Sequence, residues 1–170
     1  LERLERIREG IKQHYQSIGE LIEERYGKQP IPKIATGHLY AYGAEASAKQ
    51  DNIYIGDKEN IAASQFPAVF DYVALGHIHR PQTVGGLSHV RYSGSLIPLS
   101  FSETKDDKSV YLLEFENHQL KHCEPLPIPV FRRLKTIEGS LEEVEKSLIR
   151  FGEKKRAGLT PWVEIIVHTD

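Results

Sequence analysis

Tyr72-Val73-Ala74-Leu75-Gly76-His77-Ile78-His79 is a short apolar run that ends in a glycine and two histidines two residues apart. A continuous apolar run of this length reads as a strand. Glycine at its end lets the backbone turn and approach a neighbour closely. Two imidazoles at the mouth of a strand can offer nitrogens to neighbouring positions of a metal site, and imidazole suits Mn, Fe, Zn or Ni better than Ca. The pattern occurs a second time, in Lys33-Ile34-Ala35-Thr36-Gly37-His38. In α/β sheets the ends of strands are where sites are built. His-x-His alone is a weak signal in a chain with eight histidines. His14, His89, His118, His122 and His168 read as surface or ordinary hydrogen-bonding residues.

Outward from these two units the chain reads as α/β. Leu1, Leu4, Ile7, Ile11, Tyr15, Ile18 and Leu21/Ile22 recur at helical spacing, and Gly27, Pro30 and Pro32 end the helix near Tyr26. Asn52 to Gly56 reads as a short strand, and Glu59 to Gln65 as a helical turn or two stopped by Pro67. Gln82–Val84 and His89–Tyr92 flank Gly85-Gly86 as a hairpin. Ser109–Phe115 and Gln119–Glu124 form another about Asn117-His118. Pro125, Pro127 and Pro129 then mark a stiff linker or edge crossing. Beyond them come a strand from Phe131 to Ile137, a helix capped by Ser140 with Glu143 three residues on, and a strand from Trp162 to Val167. Leu141, Val144 and Leu148 are expected to face Val163, Ile165 and Val167, with the helix stopping near Gly152. The expected division is 1–128 and 129–170.

The 170 residues suffice for one domain or one and the start of another. A formal charge of -2 gives no global field toward nucleic acid or an acidic membrane, so any DNA contact must come from a local patch or from metal ions. The lone cysteine, Cys123, favours a reducing compartment, and no apolar run reaches the roughly 18 residues of a membrane span. The chain has no methionine, even at position 1, and opens in mid-helix, which reads as a piece of a longer protein.

Ala35-Thr36-Gly37-His38-Leu39, Ile53-Tyr54-Ile55-Gly56 and Tyr72 to Arg80 together resemble the SbcD family of bacterial nuclease subunits. So does His89-Val90-Arg91-Tyr92-Ser93-Gly94-Ser95-Leu96-Ile97-Pro98-Leu99-Ser100-Phe101. Gly-His-x-His marks the calcineurin-like metallophosphoesterases broadly, and the Ser93–Phe101 stretch is the more specific feature.

The resemblance implies the carboxy-terminal half of a two-sheet metallophosphoesterase core with flanking helices, followed by the start of a strand-helix-strand cap that helps hold DNA. It implies two divalent ions, usually Mn²⁺, with His38 and His77 on one and His79 on the other. Such ions, roughly 3.5–4 Å apart, activate water and hold both sides of an in-line displacement at phosphorus. The activity implied is DNA exonuclease and endonuclease work in repair, recombination and replication, in the bacterial cytoplasm. The implied partner is the ATPase SbcC, in an assembly containing a nuclease dimer. The family's Asp-x-His, Gly-Asp-x-x-Asp and Gly-Asn-His motifs do not occur in this sequence. The catalytic residues are therefore expected elsewhere, and the chain alone is expected to be inactive.

Three features carry two readings each. Arg80 suits a substrate phosphate or a surface ion pair. Ser93 and Ser95 suit donation to phosphate or the shaping of a turn about Gly94. Lys154-Lys155-Arg156 suits a DNA backbone or a solvated turn. At the level of the whole chain, the alternatives are another metallophosphoesterase, a phosphatase or cyclic-nucleotide phosphodiesterase, or a non-catalytic binding piece.

Overall fold

The computed structural model describes residues 2–42, 44, 61–154 and 158–169. The strand expected at Asn52–Gly56 lies outside them, as do Lys155 and Arg156. The chain is mixed α/β and divides into two compact units, Leu1–Leu96 with Asp107–Ile128 and Ile97–Asp106 with Pro129–Asp170. Segment 97–106 thus interrupts the first unit and groups with the second.

In the first unit, helix α1 (Glu2–Tyr26) buries Tyr15 and Gly19 and sets Ile11, Ile18 and Ile22 against the core, the stripe that the helical period predicts. Strands β1 (Ile34–His38), β2 (Ala41–Tyr42), β3 (Ile61–Ala62), β4 (Tyr72–Gly76), β5 (Gln82–Val84) and β6 (Leu87–Tyr92) follow. Among the described residues, β1, β4, β6 and β5 form one sheet in that order, with β1, β4 and β6 parallel and β5 antiparallel. β4 is the inner strand of the parallel set, which is why its sequence is apolar without alternation. The turn between β5 and β6 has Gly85 and Gly86 at φ 57° and 74°, matching the hairpin expected there. The helical segment expected at Glu59–Gln65 is, in its described part, strand β3 (Ile61–Ala62) followed by a short 3₁₀ turn, Ala63–Gln65. Tyr15 meets Phe66 edge-on at 4.8 Å, fastening α1 to the segment that precedes β4.

The hairpin of β7 (Ser109–Glu116) and β8 (Gln119–Pro127) turns at Asn117, φ 58°. β8 runs through Pro125 and Pro127, so these prolines are strand and not linker. Ile128 donates its N–H to the Lys108 carbonyl at 2.8 Å. By the alternation of an antiparallel pair, Pro125 and Pro127 then hold the positions whose nitrogens face away from β7. A missing donor costs nothing there.

In the second unit, β9 (Arg132–Gly139) pairs in parallel with β10 (Leu159–Val167), joined by α2 (Leu141–Glu153). Ser140 caps α2: its N–H donates to Glu143 Oε2 at 2.9 Å and its hydroxyl accepts from the Glu143 N–H. Val144 and Ile137 are buried, but Leu141 is 61% exposed and Ile165 50% exposed. Of the packing expected between Leu141, Val144, Leu148 and Val163, Ile165, Val167, only Val144 is fully buried; Leu141 on the helix and Ile165 and Val167 on the strand stay exposed. α2 ends at Glu153, one residue past Gly152. Among the described residues no helix is long and apolar enough to cross a membrane.

Candidate metal centre

Parallel pairing places the two strand-glycine-histidine units side by side. The β1–β4 register sets His38 opposite Gly76, and Leu39 extends the pairing by donating its N–H to the Gly76 carbonyl at 3.2 Å. Both units therefore end at the same carboxyl edge of one sheet. The His38 and His77 rings lie 5.4 Å apart, edge to face, and the Tyr40 ring stands 6.0 Å from His77, also edge to face. A side chain at Gly76 would put its Cβ 3.0 Å from His38 Nδ1, so glycine keeps room for that imidazole.

His77 adopts φ 116°, a region that residues with a Cβ rarely occupy. Such strain persists where the surroundings over-determine it and gathers at functional sites. Ile78, 2% exposed, anchors the next position in the core. Burial, followed by the charges that His38 and His79 would carry, holds the His77 imidazole below its ordinary protonation range. The neutral ring is the form that binds a metal.

His79 leaves the strand and is fixed through its backbone. Its carbonyl accepts from the Ser95 N–H at 3.1 Å and from Lys108 Nζ at 3.1 Å, and Lys108 Nζ also donates to Ser95 Oγ at 2.9 Å. Gly94 sits between at φ 82°, where a Cβ would fall 2.7 Å from the His79 carbonyl oxygen. Ser95 therefore shapes a turn against the histidine loop. Ser93 and Arg80 are exposed, as is Lys154, the one described member of the basic cluster.

The loop that follows His38 is held by a residue that sequence reasoning did not single out. The buried Tyr92 hydroxyl accepts from the Ala41 N–H and donates to the Leu39 carbonyl, both at 2.7 Å. On the other side, Tyr15 donates to the Thr36 carbonyl at 3.1 Å. Tyr92 stands in the quoted stretch before Ser93, so a buried hydroxyl at a strand end was its available signal. Lys108 carried none.

Among the described residues, no group of three or more His, Cys, Asp or Glu side chains is placed to hold a metal. The imidazoles present fit part of such a ligand set: the His38 and His77 rings meet at one strand edge, and the third histidine is near enough to act on His77 electrostatically.

No family model matches the chain. The SbcD subunit of the nuclease SbcCD from Escherichia coli (strain K12) is 41% identical over 159 residues, 94% of this chain and 38% of that protein. This stretch belongs to the SbcD family. The corresponding SbcD protein of Staphylococcus epidermidis is 33% identical over 146 residues, covering 85% of this chain and 38% of its own length. That of Rhodobacter capsulatus is 42% identical over 101 residues, 59% of this chain and 25% of the relative. The chain thus spans well under half the length of the SbcD proteins it matches, and the Escherichia coli match takes in most of both compact units.

Proposed function

We propose that this chain supplies histidine ligands to a two-metal centre that hydrolyses phosphodiester bonds in DNA, His38 and His77 serving one ion and His79 the other. The observation that carries this reading is the meeting of His38 and His77 at the ends of adjacent parallel strands, 5.4 Å apart. The name its relatives carry, that of a nuclease subunit, supplies the reaction class.

Divalent ions, Mn²⁺ in this reading, would supply Lewis acidity at the phosphoryl oxygens and activation of the attacking water. The chain's own residues do the rest. The neutral His77 ring and its His38 neighbour present nitrogens at the strand edge. Ile78 and the β1–β4 register fix where those nitrogens stand, and Tyr92 holds the chain beyond His38. In this reading Arg80, exposed and next in sequence to His79, would meet a substrate phosphate, with the exposed Ser93 as a second donor. The carboxylate-bearing motifs that complete such a centre are absent from this sequence and belong, in this proposal, to the remaining length of the full-length protein. That protein would act as a duplex exonuclease and a single-strand or hairpin endonuclease with the ATPase SbcC, its second unit serving as a cap on DNA.

The test is Mn²⁺-dependent degradation of labelled duplex DNA by the full-length protein beside His38→Ala, His77→Ala, His79→Ala and the 170-residue chain alone. Each substitution should abolish most of the activity, and the chain alone should bind Mn²⁺ weakly and cleave negligibly. Full activity in the substituted proteins, or cleavage by the isolated chain, would refute the assignment.

A further inference from the structure

We infer that Lys108 is a positioning residue for the metal ligand His79, acting through the backbone of the histidine loop; this rests on the metal reading above. Lys108 is 7% exposed, and its Nζ bridges the His79 carbonyl and Ser95 Oγ at 3.1 and 2.9 Å. The Ser95 N–H reaches the same carbonyl at 3.1 Å. Three segments distant in sequence are thereby tied at one atom: the histidine loop, the turn about Gly94 and the entry to β7. With that carbonyl held, His79 can place its imidazole only by rotating its side chain. Groups outside the ligand shell that orient ligands are worth about 10–100-fold in metal affinity.

Other roles for Lys108 make different predictions. A lysine in the run Lys105-Asp106-Asp107-Lys108 would ordinarily be a solvated surface charge, but this one is buried with its donors on protein oxygens. Nor is a buried ammonium bonded to a carbonyl and a hydroxyl arranged to capture substrate. A purely electrostatic role is decided by sign. A cation beside a cation site repels the incoming ion, so if Lys108 acted through charge alone, removing it would tighten metal binding. If it acts by holding His79, removing it loosens binding.

The experiment is Mn²⁺ titration of the full-length protein, following the spin resonance of the free ion. At saturation, the nitrogen modulation that bound imidazole imposes on the Mn²⁺ electron spin echo is recorded. Lys108→Met should weaken binding about 10-fold or more and reduce the nitrogen modulation. Ser95→Ala, which keeps the Ser95 N–H but removes one Lys108 acceptor, should fall between Lys108→Met and the unsubstituted protein. The double variant should be no weaker than Lys108→Met, since both changes break one linkage. If Lys108→Met does not fold, as circular dichroism without metal would show, Ser95→Ala carries the test. Unchanged or tighter binding in the folded variants overturns the inference. His79→Ala separates the two levels: if it binds Mn²⁺ as the unsubstituted protein does, the metal reading fails and takes this inference with it. If it loses binding while Lys108→Met does not, only the positioning role fails.

Discussion

Tyr92 shows how much one atom can fix. Its hydroxyl satisfies the Ala41 N–H and the Leu39 carbonyl together, in a place without solvent. Tyr92→Phe leaves both backbone groups without that partner, and an unsatisfied buried polar group costs about 1–3 kcal/mol. A loss of that size is expected in urea denaturation, and the length of chain just past His38 is the part that loosens. The same phenol makes an alkaline prediction. Burial, offset in part by the Ala41 N–H bond, pushes its pKa up to about 12 from the ordinary value of 10.0. A group whose proton is held more tightly in the folded state stabilises fully below its unfolded pKa, and that stabilisation is lost as the pH rises through the folded one. Stability should therefore begin to fall near pH 10 and continue falling toward pH 12, and Tyr92→Phe should remove this part of the alkaline slope. Little of this was readable beforehand. Tyrosine at a strand end is common, and its partners come from residues 51 and 53 positions away. Lys108 is the same lesson, since its neighbours are set by how three segments meet.

Elements were far more readable than contacts. Apolar runs ending in Gly-His, a double glycine and an Asn-His turn each encode a local backbone shape, and β1, β4, the β5–β6 hairpin and the β7–β8 hairpin follow from them. The proline cluster misled, because proline forbids an inner ladder position but not the outward-facing positions of a two-stranded ribbon. In α2 the cap was legible from Ser140 and Glu143, and it carries a prediction. The hydrogen bonds from Ser140, first from its backbone N–H and then from its hydroxyl, hold the Glu143 carboxyl below the ordinary carboxylate range. A depressed folded pKa means stability that is present above the unfolded pKa and lost as the pH falls through the folded one. The second unit should thus weaken on acidification below the usual glutamate range. Ser140→Ala should cost it about 1 kcal/mol at neutral pH and flatten that acid limb only in part, since the Ser140 N–H bond to Glu143 is kept, both measurable by thermal unfolding followed at the α2 amides.

For the molecule as a whole, a net charge of -2 means that the DNA affinity proposed above would have to come from local groups and metal ions. The proposal that Lys154, Lys155 and Arg156 meet a DNA backbone has a specific thermodynamic signature. Reversing these charges in the full-length protein should weaken DNA binding and make its salt dependence shallower, by about 0.9 in the log-log slope for each phosphate no longer neutralised. Mn²⁺ affinity should be unchanged. An unaltered slope would leave the cluster a solvated turn.

The side-by-side arrangement of β1 and β4 also limits where this sequence can change in length. His38 and Gly76 are register partners, and side chains alternate between faces of a sheet along each strand. One inserted or deleted residue within Ile34–His38 or Tyr72–Gly76 would shift a histidine by about 3.3 Å and turn it to the opposite face. The same event in the turn at Gly85-Gly86 would leave both histidines where they are. Across relatives, gaps should therefore gather in the turns and spare these two strands, so that strand length acts as a ruler for the spacing of the imidazoles.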